Sequence, residues 1–110
     1  MATVPNCDMA IVEAGKVSDY LLSETHPIGR TKARFFRRFG FRADVPEEFA
    51  QAMLDHVRDN AVADIEMSPY GAKYRVDGPL TSPGGKPTVS TIWMILNGQT
   101  TPRFVTAFPC

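Results

Sequence analysis

The chain has 110 residues, 44% of them hydrophobic and 22% charged, which is the composition of a folded domain and excludes an intrinsically disordered chain. Its length suits one hydrophobic core and not two, so a single domain over 1–110 is expected, with an N-terminal extension at 1–12, a helical half at 16–59 and a sheet at 62–108. Twelve basic and twelve acidic residues cancel, no window approaches the roughly 18 uncharged apolar residues of a membrane helix, and the first residues lack a basic-then-apolar leader, so the cytoplasm is the expected location.

In chain order, the first helical pattern is Lys16–Ser23, where Val17, Tyr20, Leu21 and Leu22 place one apolar stripe. His26 and Pro27 end it, because the residue before proline is driven out of the helical region. A second helix is predicted over Thr31–Phe39 and closed by Gly40. At 100° per residue Arg30, Arg34, Arg37 and Arg38 gather on one arc, and Phe35, Phe36 and Phe39 gather opposite. Lys32 falls inside the phenylalanine arc, where an ammonium must snorkel, find a partner or act chemically.

A third helix is predicted to begin at Asp44, with Pro46 in its first turn, Glu47 as the acid of a capping box, and Phe49, Met53, Leu54 and Val57 as its apolar face. His56, off the core of that face, reads as structural or solvated. Beyond Asn60 the period changes to two. Strands are predicted over Val62–Met67, Ala72–Asp77, Thr88–Leu96 and Arg103–Phe108. The turns around Pro69, around Pro83-Gly84-Gly85 and at Asn97-Gly98 are too short for parallel crossovers. The expected fold is α+β: two to three N-terminal helices packed on a C-terminal four-stranded antiparallel meander. Both faces of the third strand are largely apolar, which marks it as central. In the last strand, strict alternation sets Phe104, Thr106 and Phe108 on one face and Arg103, Val105 and Ala107 on the other.

Charge is unevenly distributed. Arg30, Lys32, Arg34, Arg37, Arg38 and Arg42 are six of the twelve basic residues in thirteen positions, and an acidic stretch follows from Asp44 to Glu66. The arginine arc has the chemistry of a phosphate-binding surface, since guanidinium groups fork onto phosphate oxygens. His26 is the group best suited to move a proton near neutral pH. The chain lacks a phosphate loop, a dinucleotide fingerprint, a C-x-x-C pair and H-E-x-x-H, so no metal or other cofactor is expected. Cys7 and Cys110, near opposite ends, read as free thiols, with a staple between the termini as the alternative.

Several separated motifs occur in an order that resembles a bacterial domain family of unknown activity, found as small stand-alone proteins and as C-terminal modules of polymorphic toxins. They are Lys16-Val17-Ser18-Asp19-Tyr20-Leu21-Leu22, His26-Pro27-Ile28-Gly29, Lys32-Ala33-Arg34-Phe35-Phe36 with Gly40-Phe41, Gly71-Ala72-Lys73-Tyr74-Arg75-Val76-Asp77-Gly78, Thr91-Ile92-Trp93 and Pro102-Arg103-Phe104-Val105-Thr106-Ala107-Phe108-Pro109. Helices preceding a four-stranded antiparallel sheet also look like the layout of barnase, EndoU and RelE-like ribonuclease toxins. That resemblance implies metal-independent RNA cleavage. His26, Lys32 and Thr106 are then the expected catalytic residues, Arg34, Arg37, Arg38 and Arg103 the phosphate ligands, and RNA and a cognate antitoxin or immunity protein the partners. Thr91 and Trp93 are candidates to lie nearby, with Trp93 read as core. The competing expectation is a non-catalytic interaction module, immunity-like or adaptor-like, that meets a partner through the arginine face or a sheet edge.

Overall fold

The computed structural model describes residues 2–13, 30–42 and 44–110, and for 30–33 the backbone alone. The Lys16–Ser23 helix and the His26 loop expected from sequence lie outside the described residues. Within them are a short 3-10 turn at Cys7–Met9, two α-helices, α1 (Arg30–Arg38) and α2 (Pro46–Asp59), and four strands. The strands are β1 (Val62–Ser68), β2 (Gly71–Pro79), β3 (Thr88–Leu96) and β4 (Arg103–Pro109). They pair antiparallel in the order β1-β2-β3-β4, the expected meander, with β3 central.

α1 stops where glycine permits it to. Gly40 has φ 97°, its N–H donates to the Arg37 carbonyl at 3.0 Å, and the Phe41 N–H reaches back to the Phe36 carbonyl at 3.3 Å. These two bonds form a Schellman cap, and the Phe36 and Phe41 rings, 6.4 Å apart, supply its usual hydrophobic contact. The Gly84 N–H then donates to the Phe39 carbonyl at 2.8 Å, tying the β2–β3 connection to the helix end.

α2 departs from expectation at its start. Its N-cap is Val45, with no side-chain cap, because Asp44 is engaged elsewhere. The Arg42 guanidinium donates to both Asp44 oxygens, at 3.0 and 2.7 Å, and this hydrogen bond holds the carboxyl below its ordinary pKa. Pro46 at N1 with Glu47 and Glu48 in the first turn suffices to start the helix. Phe49, Ala52, Met53, His56 and Val57 form its buried stripe, and Leu54 packs half-buried against the core.

The core joins Phe36, Phe41, Phe49, Met53 and Val57 to Val76, Val89, Trp93, Phe104 and Ala107 of the sheet. All these sheet residues share one face by the strand register. Phe36, Phe41 and Phe49 meet edge to face, and Trp93 meets Phe104 the same way at 5.4 Å. Burying each such side chain stabilises the fold by about 1.5–3 kcal/mol.

The last strand does not alternate strictly. Thr106 lies opposite Ile92 and Phe104 opposite Trp93, so Val105 is an extra residue at a β-bulge. The expected grouping of Phe104, Thr106 and Phe108 is therefore incorrect. Phe104 and Ala107 turn to the helices, while Arg103, Thr106 and Phe108 share the opposite face.

Candidate functional site

The sheet face turned away from α2, here the far face, contributes no residue to the hydrophobic core among the described residues. Strand register arranges its side chains in three rows. Asp77, Ser90 and Phe108 form one row; Asp64, Arg75, Ile92 and Thr106 the next; Glu66, Lys73, Met94 and Arg103 the third. Cross-strand neighbours within a row stand about 5 Å apart. Asp64, Glu66 and Arg103 are exposed, whereas Lys73, Arg75, Thr106 and Phe108 are half-buried.

A cleft of about 230 Å3 opens on this face, lined by Asp64, Glu66, Lys73, Arg75, Ile92 and Phe108. It combines two carboxylates, two cations and an aromatic ring. The Arg75 Nε is buried and makes no hydrogen bond among the described residues; it sits 3.3 Å from Asp77 Oδ1, within ion-pair distance but without hydrogen-bond alignment. Asp77 Oδ1 accepts from the Ser90 hydroxyl at 2.6 Å, and the same Ser90 oxygen lies 3.1 Å from Cys110 Sγ. Asp77, itself held by Ser90, thus fixes one side of the Arg75 guanidinium at the margin of the cleft. A larger groove of about 420 Å3, between α2 and the β2–β3 connection, offers Glu48 and Asp55 without a cation.

Of the residues expected from sequence, Thr106 and Arg103 are on the far face, brought together by the bulge at Val105. Arg103 Nη1 also donates to Glu13 Oε1 at 3.2 Å. Arg34 and Arg38 are exposed on α1 and Arg37 is half-buried, and Arg30 is described only as backbone. His26 is outside the described residues, and Lys32 is described only as backbone within α1. Cys7 and Cys110 are free.

Thr91 and Trp93, considered as neighbours of the site, lie instead on the helix-covered face. They belong to a buried chain with His56, which is only 2% exposed. His56 Nε2 is 3.1 Å from the Gly78 carbonyl, which can only accept, so Nε2 carries the hydrogen. Nδ1, 3.0 Å from Thr91 Oγ1, therefore accepts from that hydroxyl, and the Trp93 indole N–H donates to the same oxygen at 2.8 Å. Every polar atom in the chain is satisfied by a neutral imidazole. Burial pushes the His56 pKa down, in keeping with the neutral imidazole that these hydrogen bonds hold.

Sequence reasoning passed over Asp64, Glu66, Lys73 and Arg75. The available signal was the spacing of Asp64 with Glu66 and of Lys73 with Arg75, two residues apart on consecutive predicted strands, which places each pair on one face. That the two pairs stand opposite one another depends on register.

No described helix is long and apolar enough to cross a membrane, and no group of metal-ligating side chains occurs among the described residues. No curated protein matches the chain. Among solved structures, a chain from the contact-dependent growth inhibition toxin–immunity protein complex of Klebsiella pneumoniae 342 has a similar fold, with a TM-score of 0.62 and 23% identity. The likeness covers 94% of this chain and 95% of that one. The family described as Domain of unknown function (DUF6883) matches residues 3–110, and the chain belongs to it.

Proposed function

We propose that this chain is a toxin-type endoribonuclease that cleaves RNA on the far face of its sheet without a metal ion. The observation that carries the reading is the cleft in which Asp64 and Glu66 face Lys73 and Arg75 across paired strands. The toxin assignment draws support from a fold like that of a chain in a toxin–immunity complex. At 23% identity that likeness concerns the fold, so the chemistry is argued from this chain's own residues.

Glu66, exposed and adjacent to Lys73 across the strands, takes the ribose 2′ proton. The O2′–P bond forms while the charge on phosphorus's oxygens is met by Lys73, Arg75 and Arg103, with the Thr106 hydroxyl positioning one oxygen. The P–O5′ bond breaks, and His26 as imidazolium protonates the leaving oxygen. Phe108 offers a ring on which a base stacks. Arg34, Arg37 and Arg38 belong to α1, which packs on the opposite side of the sheet, and they supply a second set of phosphate contacts for a longer RNA. The products are a 2′,3′-cyclic phosphate and a 5′ hydroxyl, and a cognate antitoxin or immunity protein is the partner that protects the host.

The test is incubation of purified protein with total RNA in excess EDTA, beside Glu66→Gln, Lys73→Ala and His26→Ala variants first shown to fold by circular dichroism. Wild-type cleavage leaving 2′,3′-cyclic ends, slowed at least about 100-fold in each variant, is the expected result. Intact RNA at micromolar wild-type protein refutes the enzyme, and equal cutting by all four proteins refutes the site.

A further inference from the structure

The meander leaves two edges, β1 and β4, and the chain treats them differently. Along β4, the Ile11 N–H donates to the Pro102 carbonyl at 3.0 Å and the Phe104 N–H donates to the Ile11 carbonyl at 2.9 Å, so the N-terminal segment closes part of that edge. Along β1, among the described residues, the N-terminal segment reaches the first residue only, where the Val62 N–H donates to the Ala2 carbonyl at 2.8 Å. From Ala63 to Met67 every residue is exposed, and alternate backbone N–H and C=O groups of the strand point away from β2.

The side chains of this edge are sorted by face. Ile65 (53% exposed), Met67 (73%) and, in the adjoining turn, Tyr70 (74%) are large apolar groups left in water, while α2 packs over β2 and β3. Asp64 and Glu66 occupy the other face. The occupant this edge suits can be read from the strand already paired to it. β2 sets Arg75 opposite Asp64, Lys73 opposite Glu66 and Tyr74 opposite Ile65. A strand added outside β1 meets the same side chains on the same faces. A second copy of the chain is a poor occupant, because antiparallel self-pairing about Ile65 sets Asp64 of one copy against Glu66 of the other, and like charges directly opposite are destabilising.

We propose that the free edge of β1 receives an extended segment of a partner protein in which Lys or Arg alternates with aromatic or aliphatic residues. Main-chain hydrogen bonds supply the pairing, the cations meet Asp64 and Glu66, and the apolar side chains cover Ile65 and Met67.

The probe is a blocked synthetic peptide with the sequence of residues 71–77, titrated into the 15N-labelled full chain and followed by amide chemical shifts. Saturable shifts confined to Ala63–Met67 and their neighbours are expected. Affinity should fall about tenfold or more when the peptide's Lys and Arg are replaced by Glu, and when the protein carries Glu66→Lys. N-methylation of the peptide's tyrosine amide in one variant and of the adjacent arginine amide in another, which spares the charges, should weaken binding in at least one of the two, because neighbouring amides point to opposite edges of a strand. Shifts on another surface, equal binding of the charge-reversed peptide, or no shift at millimolar peptide overturn the proposal. So does a concentration-dependent dimer through β1 in sedimentation. RNA plays no part in this measurement, so it fails or succeeds separately from the nuclease reading.

Discussion

His56 illustrates how one buried residue ties stability to pH. Its imidazole bridges α2 to β2 and β3 only as the neutral form, with Nε2–H given to Gly78 and Nδ1 accepting from Thr91. Burial lowers its folded pKa below the ordinary 6.5, despite opposing contributions from the Gly78 and Val89 backbone and from Asp77 and Asp59. The unfolded chain therefore takes up this proton first. The stability contributed by neutral His56 is complete above about pH 6.5 and falls as pH drops from there toward the folded pKa. Urea midpoints measured from pH 7.5 to 5 should decline for the wild type. In His56→Gln, whose amide retains a donor for Gly78 and an acceptor for Thr91, that decline should be shallower. Periodicity placed His56 beside an apolar stripe and no further, because its partners lie 22 and 35 residues away in sequence.

At the scale of elements, α1 and the turn after it depend on Gly40. Its φ of 97° is one that residues bearing a Cβ rarely adopt, and a Cβ there would stand 2.8 Å from Pro83 Cβ. Gly40→Ala should destabilise the protein by about 1–3 kcal/mol, measured by denaturant unfolding, through αL strain and displacement of the β2–β3 connection. This cap was legible in sequence, since a glycine after a run of helix formers is a local signal. The start of α2 was not, because the apparent cap Asp44 is captured by Arg42, a choice between two hydrogen-bonding partners that spacing does not resolve. The bulge at Val105 was equally hidden. An extra residue in one strand is defined only against its partner, and here it turns Phe104 to the core and Arg103 with Thr106 to the far face.

For the whole molecule, a formal charge of zero conceals cations concentrated on α1 and set against an acidic α2, while on the far face Lys73, Arg75 and Arg103 are balanced by Asp64, Glu66 and Asp77. On the ribonuclease reading, RNA binding is driven by counterion release even though the protein is neutral overall. The logarithm of affinity should fall linearly with the logarithm of salt concentration, and Arg34→Ala with Arg38→Ala should reduce the slope by about 0.7 each, measured by fluorescence anisotropy on single-stranded RNA.

The sequence by itself determined the α+β class, the four strands in meander order, the existence and end of the helix after Asp44 but not its start, and the arginine-rich helix, because these follow from local periodicity and from turns too short for crossovers. Only the tertiary structure decided which side chains share a surface. Strand register set Asp64 and Glu66 against Arg75 and Lys73, the bulge moved Arg103 beside Thr106, and the packing of α2 on one side buried Thr91 and Trp93 with His56. The physical reason is that register and bulges arise from pairing between distant segments, and a shift of one residue exchanges the faces of every side chain in a strand.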